Sequence, residues 1–222
     1  MFKPYVFDHK MIGWALQRDD VFAFFGNRNF TKEKFSLAFP KYEFRLLKQV
    51  HGDAVVESST DLAVADAHYT VEKNCALVIQ TADCQPILFA SKEKIAACHA
   101  GWRGVAQQIP LKTAEVVNNS FWISIGPHIQ FQNFEVEKAV AQKILASLPN
   151  NSNLTLATKE HPDSTKVFLN LAEISLCQIK SVIQNPQFID LMPLDTITEP
   201  SLFSFRRQGS QAERQYSFIV RL

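Results

Sequence analysis

From residue 21 to residue 127 the chain is cut into short apolar runs: VFAFFG, FRLLKQVHG, AVVES, CALVIQT, PILFAS, KIAACHAG and FWISIGP. Many end at glycine, proline or aspartate, and several are rich in valine, isoleucine or phenylalanine. Runs of this length with turn residues between them predict strands rather than helices. KQVHGDAVVES predicts a hairpin turning at Gly52-Asp53, and CALVIQT, QPILFA and KIAACHAG predict three strands in close succession, the last two joined by the turn SKEK. Helical spacing appears later. RGVAQQIPLKTAEVVNNS predicts a helix that Pro110 breaks or restarts. FEVEKAVAQKILASL predicts an amphipathic helix that stops before PNNSN. FLNLAEISLCQIKSVIQN predicts a third, with Asn170 as its cap and Pro186 beyond its end. Strands first and helices on the flanks predict an α+β chain, with residues 1–222 as one domain. The segment LPNNSNLTLATKEHPDSTK reads as a surface excursion.

Two residues stand where such strands end in a way that packing alone does not explain. Cys84 closes CALVIQTADC, and His99 lies between IAAC and AGWRG; His51 likewise ends LLKQV before a glycine. Polar side chains at strand ends are where a rigid scaffold presents chemistry. If the strands are neighbours, two imidazoles and a thiolate meet. That is a zinc donor set of nitrogen and sulfur with a fourth position open. The same residues permit a second chemistry, with Cys84 as nucleophile, His99 as its base and Asp83 orienting a histidine. The bland alternative is ordinary burial of a cysteine and hydrogen bonding of two histidines. Cys75, Cys98 and Cys177 lie in apolar runs or on a helix and are expected in the core.

Arginines form the other polar signal: Arg28 in FFGNRNF, Arg103 in GWRG, and Arg206, Arg207 and Arg214 in FSFRRQGSQAERQ. Guanidinium groups favour phosphate and carboxylate oxygens. A formal net charge of +1 argues against nucleic acid or an anionic membrane as partner. No GxGxxG or GxxxxGK[ST] pattern is present. The opening MFKPYVFDHK is not a signal peptide, no later run is long enough to span a membrane, and the four cysteines show no paired spacing, so a cytoplasmic location is expected. With only 7 glycines and 18 phenylalanines, an aromatic core is expected.

The motifs KQVHG, ADAHYT, TADCQPILFA, HAGWRG, IGPHI…FEV and FSFRRQG…RQYSFI occur in the order found in the YfiH/laccase-domain family, also called the polyphenol oxidase or peptidoglycan-editing-factor family. The resemblance runs from about Phe25 to the C-terminus. It implies a single-domain mixed α/β sandwich and a zinc ion on His51, Cys84 and His99. It also implies phosphorolysis of adenosine, inosine, guanosine and methylthioadenosine, with adenosine deamination as a further activity. The family's TTRxGGVS-like segment is absent, and only FFGNRNF remains, so Asn27 is the candidate there for binding substrate and Arg28 the candidate for a catalytic role on phosphate. Phe134 replaces the tyrosine of GPxIxxxxYEV, and AER replaces the closing TGR but keeps Arg214.

Copper oxidation is the weaker fit, because the chain has six histidines (9, 51, 68, 99, 128 and 161) and no HxH pair. The expectation is therefore a purine nucleoside phosphorylase that takes a nucleoside and phosphate as small-molecule partners and works as a monomer or homodimer. Arg103, Arg207 and Trp102 are assigned to substrate, and Asp83 and Glu135 to proton transfer. Phe131, Phe134 and Trp102 are candidates for stacking on the purine. A Cys-dependent amide hydrolase, acting in cell-wall precursor editing, and a non-catalytic metal-binding module are the alternatives.

Overall fold

The structure is a computed structural model that describes residues 1–119, 121–149 and 154–222. It contains two six-stranded sheets and a small third one. Across the first sheet run β1 (Lys3–Phe7), β2 (Lys10–Arg18), β3 (Val21–Gly26), β15 (Gln215–Arg221), β7 (Cys75–Thr81) and β4 (Glu43–Arg45). Across the second run β14 (Phe188–Leu191), β10 (Trp122–Ile125), β8 (Gln85–Ala90), β9 (Ile95–Ala100), β6 (Ala67–Thr70) and β5 (Val55–Glu57). The third is β11 (Glu135–Glu137), β13 (Lys166–Leu169) and β12 (Thr158–Glu160). The helices are α1 (Phe35–Ala38), α2 (Trp102–Ala106), α3 (Ile109–Val117), α4 (Lys138–Leu145), α5 (Leu154–Ala157), α6 (Leu171–Lys180) and α7 (Phe205–Gln208).

The central strands are apolar throughout because both of their faces are covered. Successive side chains of a strand point to opposite faces. In β8 Leu88 and Ala90 join the core between the two sheets, while Ile87 and Phe89 pack with α3 and α6. In β7 Leu77 and Ile79 face the same central core, while Ala76 and Val78 meet an aromatic cluster of Phe24, Phe30, Phe35, Phe39 and Phe218. The excess of phenylalanine thus fills the outer face of the first sheet. Gly126 lies between the sheets, where an added Cβ would come within 2.3 Å of the Phe25 ring and 2.8 Å of Pro86.

Several expectations hold. β8 and β9 form the antiparallel hairpin across SKEK, α2 gives way to α3 next to Pro110, and the Asn170 side chain accepts from Glu173 N at the start of α6. Others are corrected. No hairpin turns at Gly52-Asp53: β4 pairs parallel with β7 in the first sheet, and β5 pairs parallel with β6 in the second. The chain past Arg45 finds other partners. The Gln49 side chain exchanges two 2.8 Å hydrogen bonds with the backbone of Gln80, and Asp66 takes the amides of residues 50–52. The three strands expected in succession are present, and they are shared between two sheets because the chain crosses at Ala82–Cys84 from β7 to β8. FEV opens as strand β11 before α4 begins. The expected surface excursion includes residues 150–153, which lie outside the described residues; its described part includes α5 and β12. β1, β2 and β15 were not anticipated from the alternation.

Candidate functional site

The crossover that splits the sheets also builds the site. His99 follows Ile95 and Ala97 on the face of β9 that looks into the inter-sheet core. Cys84 ends the crossover one residue before β8, and the 46–52 segment lays His51 beside them. The donor atoms of His51, Cys84 and His99 lie within 4.8 Å of one another, with the two rings nearly perpendicular. His99 is buried, Cys84 half-buried and His51 exposed, so the trio opens to one side.

Gly101 leaves the room this requires: a Cβ there would stand 3.0 Å from Cys84 Sγ and 3.2 Å from His51 Cδ2. Gly104 does the same for the loop, since its Cβ would meet the Gly52 carbonyl at 2.9 Å. Both glycines of HAGWRG thus have steric reasons. Two imidazole nitrogens and a thiol sulfur this close together could hold a metal ion. Among the described residues this is the one such group of three. His68 and His128 are buried apart from it, and His161 pairs with Glu135.

The thiol and the imidazole shift each other's charge. Burial pushes the Cys84 thiol up, but the His99 charge and hydrogen bonds from both imidazoles outweigh it and hold the thiol below its ordinary value. Burial pushes His99 down, but Cys84 and Asp66 together raise it.

The trio forms part of the wall of a cavity of about 730 Å³. Its other walls carry four cations (Lys48, Arg103, Arg206 and Arg214) and three aromatic side chains (Trp102, Phe134 and Phe205). Arg103 stacks on Trp102 at 4.4 Å, and Phe205 is exposed at 54% although apolar. Asp83 also lines the cavity, with both oxygens engaged. Oδ1 accepts from Thr196 Oγ1 and Oδ2 from Arg206 N, each at 2.6 Å, so the carboxylate anchors the start of α7.

Other expected site residues lie off this wall. Asn27 is buried, donating to Met11 O and accepting from Asn29 N. Arg28 donates to Leu202 O and lies over Phe203. Arg207 spends its guanidinium on the carbonyls of Thr196, Ile197 and Leu202. Glu135 is tied to His161 and Lys166. Phe131 does not line the cavity, whereas Phe134 and Trp102 do. Sequence reasoning missed Lys48, Gln49, Asp66 and Phe205. Only their membership of the motifs KQVHG, ADAHYT and FSFRRQG marked them.

A sequence profile of the family described as multi-copper polyphenol oxidoreductase laccase matches residues 13–222. The chain belongs to this family. The laccase-domain chain is 28% identical over 200 residues to a purine nucleoside phosphorylase of Rickettsia conorii, covering 84% of this chain and 79% of that one. It is 30% identical over 189 residues to a purine nucleoside phosphorylase of Clostridium acetobutylicum, covering 79% and 75%. Its fold is that of YfiH from Bacillus licheniformis, with a TM-score of 0.83, 22% identity and coverage of 95% of this chain and 97% of that one. YlmD from Geobacillus stearothermophilus superposes with a TM-score of 0.80 at 23% identity, over 91% and 92%. Among the described residues no helix of this laccase-domain chain is long and apolar enough to cross a membrane.

Proposed function

We propose that this laccase-domain chain is a zinc-dependent purine nucleoside phosphorylase that also deaminates adenosine. The observation that carries the reading is the His51–Cys84–His99 trio at the wall of a cavity lined by arginines, a lysine and aromatic rings. Relatives named purine nucleoside phosphorylase support its phosphorolysis half. In phosphorolysis a phosphate oxygen attacks C1′ of the ribose, the C1′–N9 bond breaks, and the purine leaves with the bonding pair and takes up a proton.

The charge on the phosphate and the seating of the base each have residues to meet them. Zinc, held by His51, Cys84 and His99, supplies a Lewis-acid charge when bound. Lys48, Arg103, Arg206 and Arg214 attract and orient the phosphate. Trp102, Phe134 and Phe205 offer flat apolar faces to the base and exclude water from it. Asp83, the carboxylate on this wall, has both oxygens occupied by Thr196 and Arg206, so its part is to hold the wall in place.

The test is adenosine turnover with and without phosphate, with adenine and inosine separated and metal content measured on the same sample. Phosphate-dependent adenine that disappears in His51→Ala is expected. Turnover untouched by that substitution would overturn the proposal.

The lowered Cys84 thiol beside His99 favours a second reading, a Cys-dependent amide hydrolase. Stoichiometric zinc in the wild type that is lost in Cys84→Ala excludes it.

A further inference from the structure

Asp66 is fully buried at 0% exposure, and among the described residues its ion-pair partner is His99 rather than a lysine or arginine. Burying a carboxylate in this way is expensive, and where such a group serves packing alone an apolar residue does as well or better. Its contacts account for its presence. Oδ1 lies 2.7 Å from His99 Nδ1 and 2.9 Å from His51 N. Oδ2 accepts from Val50 N at 3.1 Å and Gly52 N at 2.8 Å. The Asp66 backbone adds a further tie, since its carbonyl accepts from His99 N at 2.7 Å.

We infer that Asp66 is the positioning residue of the metal site, one carboxylate that sets the ring of His99 and the turn that aims His51. The inference rests on the metal reading above. With Nδ1–H donated to Asp66, the lone pair of His99 is on Nε2, the nitrogen left to face the cation. The three amides converging on the carboxylate hold His51 at a φ of 62°, a left-handed angle that a histidine does not adopt freely. Two ligands far apart in the chain therefore share one organiser.

Only a carboxylate serves, because all four neighbours at its two oxygens are donors. An asparagine with its oxygen at the Oδ1 position turns an NH₂ group on the amides of Val50 and Gly52 and displaces the turn under His51. Flipped, it turns NH₂ on His51 N and His99 Nδ1, and His99 must move its proton to Nε2, the metal-facing nitrogen. Either orientation sacrifices one ligand.

The experiment compares chelator-stripped wild type, Asp66→Asn and Asp53→Asn, the last altering a neighbouring ion pair with Lys112 that touches no ligand. Zinc affinity is read by competition with a chromogenic chelator, site geometry by the visible spectrum of the cobalt-loaded protein, and folding by thermal melting of the metal-free protein. The expected result is a zinc affinity about 10–100-fold weaker in Asp66→Asn, with altered cobalt bands. Asp53→Asn should stay within about twofold of wild type, as expected of a group outside the ligand shell. A long-range proton–nitrogen NMR spectrum of zinc-loaded wild type should place the His99 proton on Nδ1, a result that does not require Asp66→Asn to fold. Wild-type zinc affinity in Asp66→Asn overturns the inference even if melting falls, and so does a proton on Nε2. A wild type that takes up no zinc overturns the metal reading itself and this inference with it.

Discussion

Two residues of the site hold backbone angles that cost them free energy: His51 at φ 62° and Asp83 at φ 83°. Left-handed angles cost a non-glycine residue about 1–3 kcal/mol, and they persist only where surrounding contacts over-determine them. Here those contacts are the Asp66 carboxylate for the first and Thr196 with Arg206 for the second. His68 carries a different residue-scale consequence. Burial, reinforced by the charge of Arg45, lowers its pKa to about 3. Its unfolded value is near 6.5, so between those values the unfolded chain binds the extra proton, and stability falls as the pH drops through that window. Above pH 6.5 the contribution is complete. Urea unfolding of metal-free protein at pH 7.5 and pH 5.0 should show wild type losing roughly 2 kcal/mol more than His68→Phe, which cannot titrate. Equal losses would show that the acid sensitivity arises elsewhere.

At the scale of elements, the 46–52 segment and α7 show how short pieces become functional through what ties them down. The 46–52 segment is no strand after Arg45, because Gln49 and Asp66 provide its backbone and side-chain partners. Four-residue α7 has too few internal bonds to stand alone. It is fastened by Ser204 at its cap, by Asp83, and by Arg207 reaching carbonyls of the preceding loop. Arg207 was expected to touch substrate, whereas its guanidinium buttresses the wall that carries Phe205 and Arg206. Arg207→Ala should raise the KM for nucleoside and phosphate by about tenfold while zinc stoichiometry stays at the wild-type value; the figure corresponds to about 1.4 kcal/mol of lost positioning. Steady-state kinetics alongside metal analysis checks both, and loss of zinc would show that the segment supports the metal instead.

Over the whole molecule, the decisive event is the passage of the chain from one sheet to the other between β7 and β8. It sets Cys84 at the seam, where His99 on β9 already faces inward. Close approach of the sheets depends on Gly126, whose missing Cβ makes room for Phe25. Gly126→Ala should therefore destabilise by about 1–3 kcal/mol through overpacking, measurable as a lower urea midpoint with an unchanged m-value. A neutral effect would mean that the sheets separate at little cost. The sandwich was legible in part. Apolar blocks identified β3, β7, β8, β9 and β10, and Pro110 and Asn170 marked helix boundaries. β1 and β2 escaped because they lie at a half-exposed edge, where KPYVF and KMIGWALQR mix polar and apolar residues without a clean period. The hairpin at Gly52-Asp53 was misread because the turn residues were visible and the competing partners, Gln80 and Asp66, were remote in the chain.

Periodicity, turn residues and caps act between near neighbours, so the order of amino acids was enough to mark the buried strands β3, β7, β8, β9 and β10 and several helix boundaries, and to single out His51, Cys84 and His99 as unusual. Partnership is different. That Asp66 serves two ligands, that Glu135 and Arg28 are engaged elsewhere, and that Phe205 faces a cavity all depend on segments from 14 to 174 residues apart being brought into contact. Hydrogen bonds and packing between such segments leave no local period to read, and they exist only once the two sheets have closed on each other.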